Sequence, residues 1–301
     1  MKTYYDINAL KPYKRPVVVL GVFDGVHLAH ARILRLAVKK ARQIGSKCIL
    51  LTFWPHPQKQ ESIYSLEHRL KLISGFGVDI CLVVRFTPAF ARMPAQVFAR
   101  KFLLEKLSPA YVFIGKNFTF GRGAKGDYKM LNSLCGDYDF KLKTFDVIKI
   151  KGRAVSSTYI RSLIKKGNLN DAAELLGRPV SILGTVVKGA SLARRIGFPT
   201  ANINPHHEVV PPTGVYAVEV VLNGKILKGA CSIGTKPTLN THKLQHIEVH
   251  IFDFKRDIYG KVLEIRFIRK IREQKKFSSL PALSKQIKKD ILFIRDFLSR
   301  H

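Results

Sequence analysis

Two histidines that follow a glycine-containing turn are the first candidates for chemistry in this 301-residue sequence. His27 and His30 are three residues apart, a spacing that places both side chains on one face of a helix. Apolar positions recur at helical spacing just after them, so the histidines fall in the first turn of a predicted helix. The unpaired N–H groups of such a turn attract phosphate, and two imidazoles there could stabilise charge on a triphosphate. The alternative is a pair of surface histidines at a helix start.

Oxygen-bearing side chains in the C-terminal half form a second candidate site. Thr200 and Asn202 follow a turn that contains Gly197 and Pro199, and one residue separates them. Hard oxygen ligands of this kind suit Mg²⁺ held by a triphosphate, although Thr and Asn in turns are also common structural residues. Glu248 alternates with apolar neighbours in a predicted strand and shares a face with His250. By itself, this pattern favours an exposed glutamate in a cross-strand ion pair over a general base.

The elements that would position the histidines belong to an α/β pattern. Short β-branched runs alternate with helical patterns, as in the predicted strand Val17–Leu20 and the helix from about Ala29 to Arg42. A further helix is predicted over Pro94–Leu107. Strands that are buried on both faces and separated by helices predict a parallel sheet with right-handed crossovers. Gly121–Gly126 fits a GxGxxG pattern but lacks the βαβ context of a dinucleotide site.

After about Gly177 the pattern changes to short β-rich runs with tight turns. Asn223-Gly224 between two of these runs is a strong signal for a type I′ hairpin. The runs predict an antiparallel sheet or a small antiparallel β-barrel. The apolar spacing over Pro281–Phe297 predicts an amphipathic helix that closes the chain. We therefore predict an α/β domain at residues 1–177 and a β domain at residues 178–301.

The charge balance is strongly basic, since 52 Lys and Arg residues against 21 Asp and Glu residues give a formal net charge of +31. Such a surface attracts anions such as nucleotides, nucleic acid or acidic lipid headgroups. The four cysteines are scattered without CxxC pairs, which predicts buried free thiols in a reducing compartment. No apolar run reaches the length of a membrane span, and the N-terminus lacks the apolar region of a secretory signal. We therefore expect a cytoplasmic protein.

Four ordered motifs in the N-terminal half resemble those of the nucleotidyltransferase superfamily, specifically bacterial bifunctional riboflavin kinase/FAD synthetases. Residues 21–30 resemble the family's GxFDGxHxGH signature, and Ser156–Arg161 resembles its SSTxIR segment, whose hydroxyls and arginine serve nucleotide phosphates. The other two motifs are Thr52–Pro57 and Ile114–Gly121. The resemblance implies a Rossmann-like FMN adenylyltransferase domain in which His27 and His30 are catalytic. The nucleotide-binding residues that it implies are Gly21, Phe23, Asp24, Asn117, Ser157, Thr158 and Arg161.

The GFPTAN segment at residues 197–202 resembles the riboflavin kinase signature. This resemblance implies that Thr200 and Asn202 bind the magnesium of ATP and that Glu248 is the catalytic base. The implied function is ATP-dependent phosphorylation of riboflavin to FMN, followed by adenylyl transfer from ATP to FMN, which gives FAD and pyrophosphate. The expected partners are riboflavin, FMN and ATP, with Mg²⁺ as the metal. We expect no membrane partner, and at most weak, non-specific binding to nucleic acid.

Three residues depart from the family pattern. Ala29 replaces the usual glycine between the histidines, Tyr159 stands where SSTxIR commonly has arginine, and Ala193 replaces a loop glycine before GFPTAN. Each change could weaken ATP binding. Ala29 and Tyr159 motivate one alternative function, a riboflavin kinase whose adenylyltransferase half has decayed. A basic nucleic-acid-binding protein is the other alternative, motivated by the net charge, although no nucleic-acid-binding signature is present.

Overall fold

The computed structural model describes residues 1–58, 61–189, 197–235 and 245–300. The chain forms two compact units, Met1–Tyr159 and Ile160–His301. The domain boundary that the sequence predicts, at Gly177, stays a prediction. Ala193 lies outside the described residues.

A six-stranded sheet forms the middle of the first unit. Its strands are β1 (Lys2–Tyr4), β2 (Val17–Leu20), β3 (Cys48–Trp54), β4 (Ile80–Arg85), β5 (Tyr111–Gly115) and β6 (Lys141–Phe145). They are hydrogen-bonded in the order β1-β4-β3-β2-β5-β6, and every neighbouring pair is parallel. The strand order reverses direction at β2, so the carboxyl ends of β2 and β5 flank the switch point at which open α/β sheets bind ligands.

Helices cover both faces of this sheet, as the buried strands predict. The helices are α1 (Leu28–Gln43), α2 (Leu66–Ser74), α3 (Pro88–Ala91), α4 (Ala95–Val97) and α5 (Tyr128–Ser133). Within β2, Val18 and Leu20 belong to one hydrophobic cluster, whereas Val17 and Val19 belong to another. Alternate residues of a strand point to opposite faces, so each face has its own core. A short hairpin, β7 (Lys149–Ile150) and β8 (Arg153–Ala154), follows the sheet.

The helix predicted over Pro94–Leu107 is present but does not keep α geometry. After α4, residues Phe98–Glu105 form a π-helix. Its buried residues are Phe98, Ala99, Leu103 and Leu104. The second buried pair follows the first after five residues, which is the spacing of the i to i+5 hydrogen bonds of a π-helix. π-Helices are rare, so periodicity alone predicts an ordinary helix here.

The second unit is a closed antiparallel barrel preceded by two helices, α6 (Ser157–Lys166), which spans the division between units, and α7 (Leu169–Leu176). The strands are β9 (Val180–Val187), β10 (Ala201–Pro205), β11 (Gly214–Leu222), β12 (Lys225–Thr235), β13 (Gln245–Ile251) and β14 (Val262–Arg272). They close in the order β10-β13-β12-β11-β14-β9. Asn223 and Gly224 join β11 to β12 with φ values of 50° and 79°, as the predicted type I′ turn requires.

A C-terminal helix, α8 (Leu280–Ser299), packs on the barrel as predicted. Its apolar residues Ile294 and Leu298 are buried in a cluster with barrel residues. The guanidinium of Arg272 on β14 donates hydrogen bonds of 3.0 and 2.7 Å to one carboxylate oxygen of Asp290 on α8. An apolar stripe and a largely buried ion pair therefore fix the helix.

The four cysteines are free thiols, as the sequence predicts, but only three are buried, since Cys135 is half-buried. Burial raises the pKa of the Cys48 and Cys81 thiols to about 12, so both stay protonated near neutral pH. No helix among the described residues has the length and apolar character that crossing a membrane requires.

Candidate active sites of the two units

The turn between β2 and α1 holds unusual backbone conformations. Phe23 has φ 56°, Gly25 has φ 80° and Val26 has φ 41°. Positive φ is rare outside glycine and unfavourable for a β-branched residue such as Val26, so surrounding contacts must hold the turn. A Cβ on Gly21 would lie 2.8 Å from the Phe23 ring, which explains glycine there. Backbone strain of this kind is concentrated at functional sites.

His27 caps α1 and stacks on His30. The backbone N–H of His30 donates a 3.4 Å hydrogen bond to Nδ1 of His27, and the two ring centroids are 3.6 Å apart at an interplanar angle of 13°. Because Nδ1 is the acceptor, neutral His27 carries its proton on Nε2. His27 is buried and His30 is half-buried. The structure therefore brings both predicted residues together at the positive end of the α1 dipole.

Asp24 connects the turn to two distant segments. Its Oδ1 accepts hydrogen bonds from the backbone N–H groups of Ile63 and Tyr64, at 2.9 and 3.4 Å. Its backbone carbonyl accepts a 2.8 Å hydrogen bond from the hydroxyl of Ser157 at the start of α6. The Asp24 side chain is thus directed into the protein, where it is 1% exposed. Through Ser157, the first turn of α6 lies beside the β2–α1 turn.

Arg69 of α2 supports the same turn from the protein interior. Its guanidinium donates hydrogen bonds to the carbonyls of Val22 (2.5 Å) and Phe53 (3.4 Å). The Thr52 hydroxyl donates a second hydrogen bond, of 2.9 Å, to the Val22 carbonyl. Arg69 is only 2% exposed. Burial lowers the pKa of its guanidinium, and the charge of Asp24 opposes that shift. Sequence analysis missed Arg69, because nothing in the helical pattern distinguishes a buried arginine from an exposed one.

The remaining predicted nucleotide-binding residues come from other segments. Asn117 is exposed and follows β5 closely, and a Cβ on Gly115 would lie 2.9 Å from its Oδ1. Since β2 and β5 are neighbours, this loop and the β2–α1 turn leave the sheet at the same switch point. Thr158 is exposed in the first turn of α6, whereas Arg161, about one turn later, is buried.

An aromatic cluster near the carboxyl ends of β3, β4 and β5 was also missed, because its members come from separate segments. Neighbouring ring centroids are 5.2 to 6.4 Å apart. Four of the rings, those of Phe86, Phe90, Phe102 and Phe118, are half-buried. They offer apolar ring surface against which a planar ligand could stack. The fully buried members are Phe53, Phe98 and Phe120.

A polar row crosses the outer face of the barrel in the second unit. Glu248 on β13 is the direct partner of Asn202 on β10 and of Ser232 on β12. Ile247 and Val249, which alternate with Glu248, are buried, whereas Glu248 is half-buried. Directly paired residues in neighbouring antiparallel strands have Cβ atoms about 4.5–5.5 Å apart. The amide of Asn202 and the carboxylate of Glu248 therefore lie side by side.

Asn202 has the properties of a ligand-binding side chain. It is 6% exposed, and its Oδ1 has no hydrogen-bond partner within the part of the chain that the structure describes. A buried polar atom without a partner costs about 1–3 kcal/mol, and a hard oxygen of this kind suits a divalent cation. Gly189 packs closely here, since a Cβ on it would lie 2.0 Å from Asn202 Nδ2. Thr200, the other predicted magnesium ligand, is half-buried just before β10.

Two histidines flank Glu248 on the same face of β13. Nδ1 of His246 lies 3.5 Å from Oε1 of Glu248. Nδ1 of His250 lies 2.8 Å from the carbonyl oxygen of Pro199 and donates to it. His250 therefore joins β13 to the segment that contains Thr200. Sequence analysis placed His250 beside Glu248 but missed His246, although the two-residue period of a strand identifies it equally well.

Two different protein families match two successive parts of the chain. A family described as FAD synthetase matches residues 11–159, and a family described as riboflavin kinase matches residues 176–298. The bifunctional riboflavin kinase/FMN adenylyltransferases of Bacillus subtilis (strain 168) and Escherichia coli (strain K12) are 35% and 36% identical to the chain. The alignments cover 92% and 99% of this chain, and 90% and 98% of those proteins.

The fold is also similar to a solved structure over nearly its whole length. A crystal structure of a protein from Streptococcus pneumoniae, described as a macrolide-efflux protein, has a TM-score of 0.83 and 30% sequence identity. The match covers 97% of this chain and 98% of that one. Sequence and structural similarity thus extend through both units.

We expect Arg69→Met to destabilise the first unit by about 2–4 kcal/mol, because the buried carbonyls of Val22 and Phe53 each lose a donor. Trp54 is the only tryptophan of the chain, and the Arg69 guanidinium lies 5.4 Å from its ring centroid. Tryptophan fluorescence during urea denaturation therefore reports the unfolding of this unit.

Arg35→Met is the matched control. Arg35 is exposed, and its guanidinium lies 5.3 Å from the Phe76 ring centroid, so its loss should change the unfolding free energy by less than about 0.5 kcal/mol. Similar losses in the two variants would show that Arg69 does not support the turn.

Proposed function

The chain belongs to the family of bifunctional riboflavin kinases/FMN adenylyltransferases, and we propose that its two reactions are carried out by the two sets of residues described above. The enzyme phosphorylates riboflavin to FMN with ATP and transfers the adenylyl group of ATP to FMN. We assign the kinase reaction to the barrel and adenylyl transfer to the parallel-sheet unit. The positions of the two family matches support this division.

The in-register pairing of Asn202 with Glu248 is the observation that carries the kinase assignment. Glu248 would take the proton from the 5′-hydroxyl of riboflavin while the hydroxyl oxygen attacks the γ-phosphorus of ATP and ADP leaves. Thr200 and Asn202 would hold Mg²⁺, which the buried, unpartnered Oδ1 of Asn202 among the described residues supports. When bound, Mg²⁺ neutralises charge on the phosphates.

The two histidines on β13 would assist this base. His250 holds the Thr200 segment through its hydrogen bond to the Pro199 carbonyl. His246 would orient the Glu248 carboxylate, since its Nδ1 lies 3.5 Å from Oε1.

The stacked His27–His30 pair at the start of α1 supports the adenylyltransferase assignment. A phosphate oxygen of FMN attacks the α-phosphorus of ATP in line, the bond to the β-phosphate oxygen breaks, and pyrophosphate leaves. Positioning and charge stabilisation are sufficient for such a step, so no protein nucleophile is needed. The two imidazoles and the N–H groups of α1 would stabilise the triphosphate. Gly21, Phe23 and Asp24 would shape the site, and Asn117, Ser157, Thr158 and Arg161 would bind the nucleotide.

Two further features fit these substrates. The half-buried phenylalanines of the aromatic cluster would stack against the flavin ring. The net charge of +31 would draw ATP and FMN, both anions, towards the enzyme.

We also propose a cytoplasmic location, which the four free thiols support.

Both alternatives raised by the sequence fit less well. A decayed adenylyltransferase half does not agree with the FAD synthetase match over residues 11–159 or with the bifunctional relatives. A nucleic-acid-binding protein explains the charge but neither family match.

We expect Glu248→Gln to slow riboflavin phosphorylation by about a hundredfold or more, because the amide has the same shape but cannot accept the proton. FAD synthesis from supplied FMN should be unchanged. Chromatography of the flavins measures both reactions. Glu219→Gln is the matched control, since Glu219 is a half-exposed strand glutamate of the same barrel, 4.0 Å from Arg266. Equal effects of the two substitutions, or equal loss of both activities, would make Glu248 a structural residue.

We expect His30→Ala to slow adenylyl transfer by about a hundredfold or more, because a charge-stabilising donor is lost from the triphosphate site. The kinase reaction of the same chain is the internal control and should persist, so FMN should accumulate. Undiminished FAD formation from FMN would show that His30 takes no part in adenylyl transfer.

A further inference from the structure

Tyr159, one of the departures from the family pattern, holds an arginine from a neighbouring segment. The Nη1 group of Arg153 on β8 donates a hydrogen bond to the Tyr159 hydroxyl. The same guanidinium lies 5.8 Å from the centroid of the Tyr159 ring. Arg153 is exposed and Tyr159 is half-buried, so the tyrosine provides a platform that orients the arginine.

This pair lies at the end of α6 that adjoins the candidate adenylyl-transfer site. The backbone N–H of Tyr159 donates to the Ser156 hydroxyl at 3.3 Å, and the Ser157 hydroxyl donates to the Asp24 carbonyl at 2.8 Å. Arg153 is therefore held against the first turn of α6, which is itself joined to the β2–α1 turn. All of these contacts are within the first unit.

Throughout the described ranges, no carboxylate of Asp or Glu lies within ion-pair distance of the Arg153 guanidinium. The tyrosine hydroxyl that it contacts is uncharged. A planar guanidinium that is oriented but not neutralised is well suited to bind phosphate oxygens through two hydrogen bonds.

We propose that Arg153, oriented by Tyr159, binds the phosphates of ATP during adenylyl transfer and so replaces the arginine that the family commonly has at position 159. This inference rests on the proposed adenylyltransferase function. Position 159 lacks an arginine in this chain, and Arg153 on β8 would supply the guanidinium to the phosphate site instead.

The test measures KM for ATP in the conversion of supplied FMN to FAD. Arg153→Ala should raise this KM by about tenfold, since a charge-assisted hydrogen-bonded contact is lost. Tyr159→Phe should raise it by a smaller factor, because Arg153 remains but is no longer held by the hydroxyl. The double substitution Arg153→Ala with Tyr159→Arg should return KM to within about threefold of the wild-type value.

Arg92→Ala is the matched control, because it removes one exposed arginine of the same unit and lowers the net charge equally. Its KM for ATP should be unchanged, which separates a local contact from general attraction. Equal increases for Arg92→Ala and Arg153→Ala, an unchanged KM for Arg153→Ala, or a double variant no better than Arg153→Ala would each overturn the proposal. Failure of the wild-type chain to make FAD would instead overturn the proposed function.

Discussion

The carbonyl of Val22 is the point on which the first site depends. It accepts hydrogen bonds from the Thr52 hydroxyl and the Arg69 guanidinium, and it immediately precedes the left-handed residues of the β2–α1 turn. These donors fix the carbonyl and, together with the hydrogen bonds of Asp24, balance the unfavourable φ values at Phe23 and Val26. That turn determines where α1 begins, and with it the position of the stacked histidines. The buried guanidinium of Arg69 thus helps to position the stacked histidines from the protein interior.

The second site is fixed by strand register instead of by a strained turn. Closure of the barrel makes Glu248 the direct partner of both Asn202 and Ser232. A register shift of one residue would turn Glu248 into the barrel core, where Ile247 and Val249 now lie. The two units therefore position their polar groups by different means, a strained turn in the first and strand register in the second.

The sequence predicts the parts of the fold that follow from local pattern. Helical spacing in α1, the hydrophobic β2 strand and the Asn223-Gly224 hairpin were all predicted and are confirmed. It does not reveal the π-helix or the aromatic cluster, because both arise from packing between separate segments. The same holds for the site. Motif resemblance predicted His27, His30 and Glu248 as catalytic residues, and this stays a prediction. Arg69 and the Arg153–Tyr159 pair became visible only when distant residues were brought together.

The most direct test of two separate sites linked by FMN is complementation between two chains. A chain carrying Glu248→Gln and a chain carrying His30→Ala are mixed and supplied with riboflavin and MgATP, and flavins are followed by chromatography. We expect the mixture to produce FAD from riboflavin, because the second chain makes FMN and the first converts it, although neither does so alone. A mixture that accumulates FMN without FAD, while the Glu248→Gln chain still adenylylates supplied FMN, would contradict two independent sites that exchange FMN through solution.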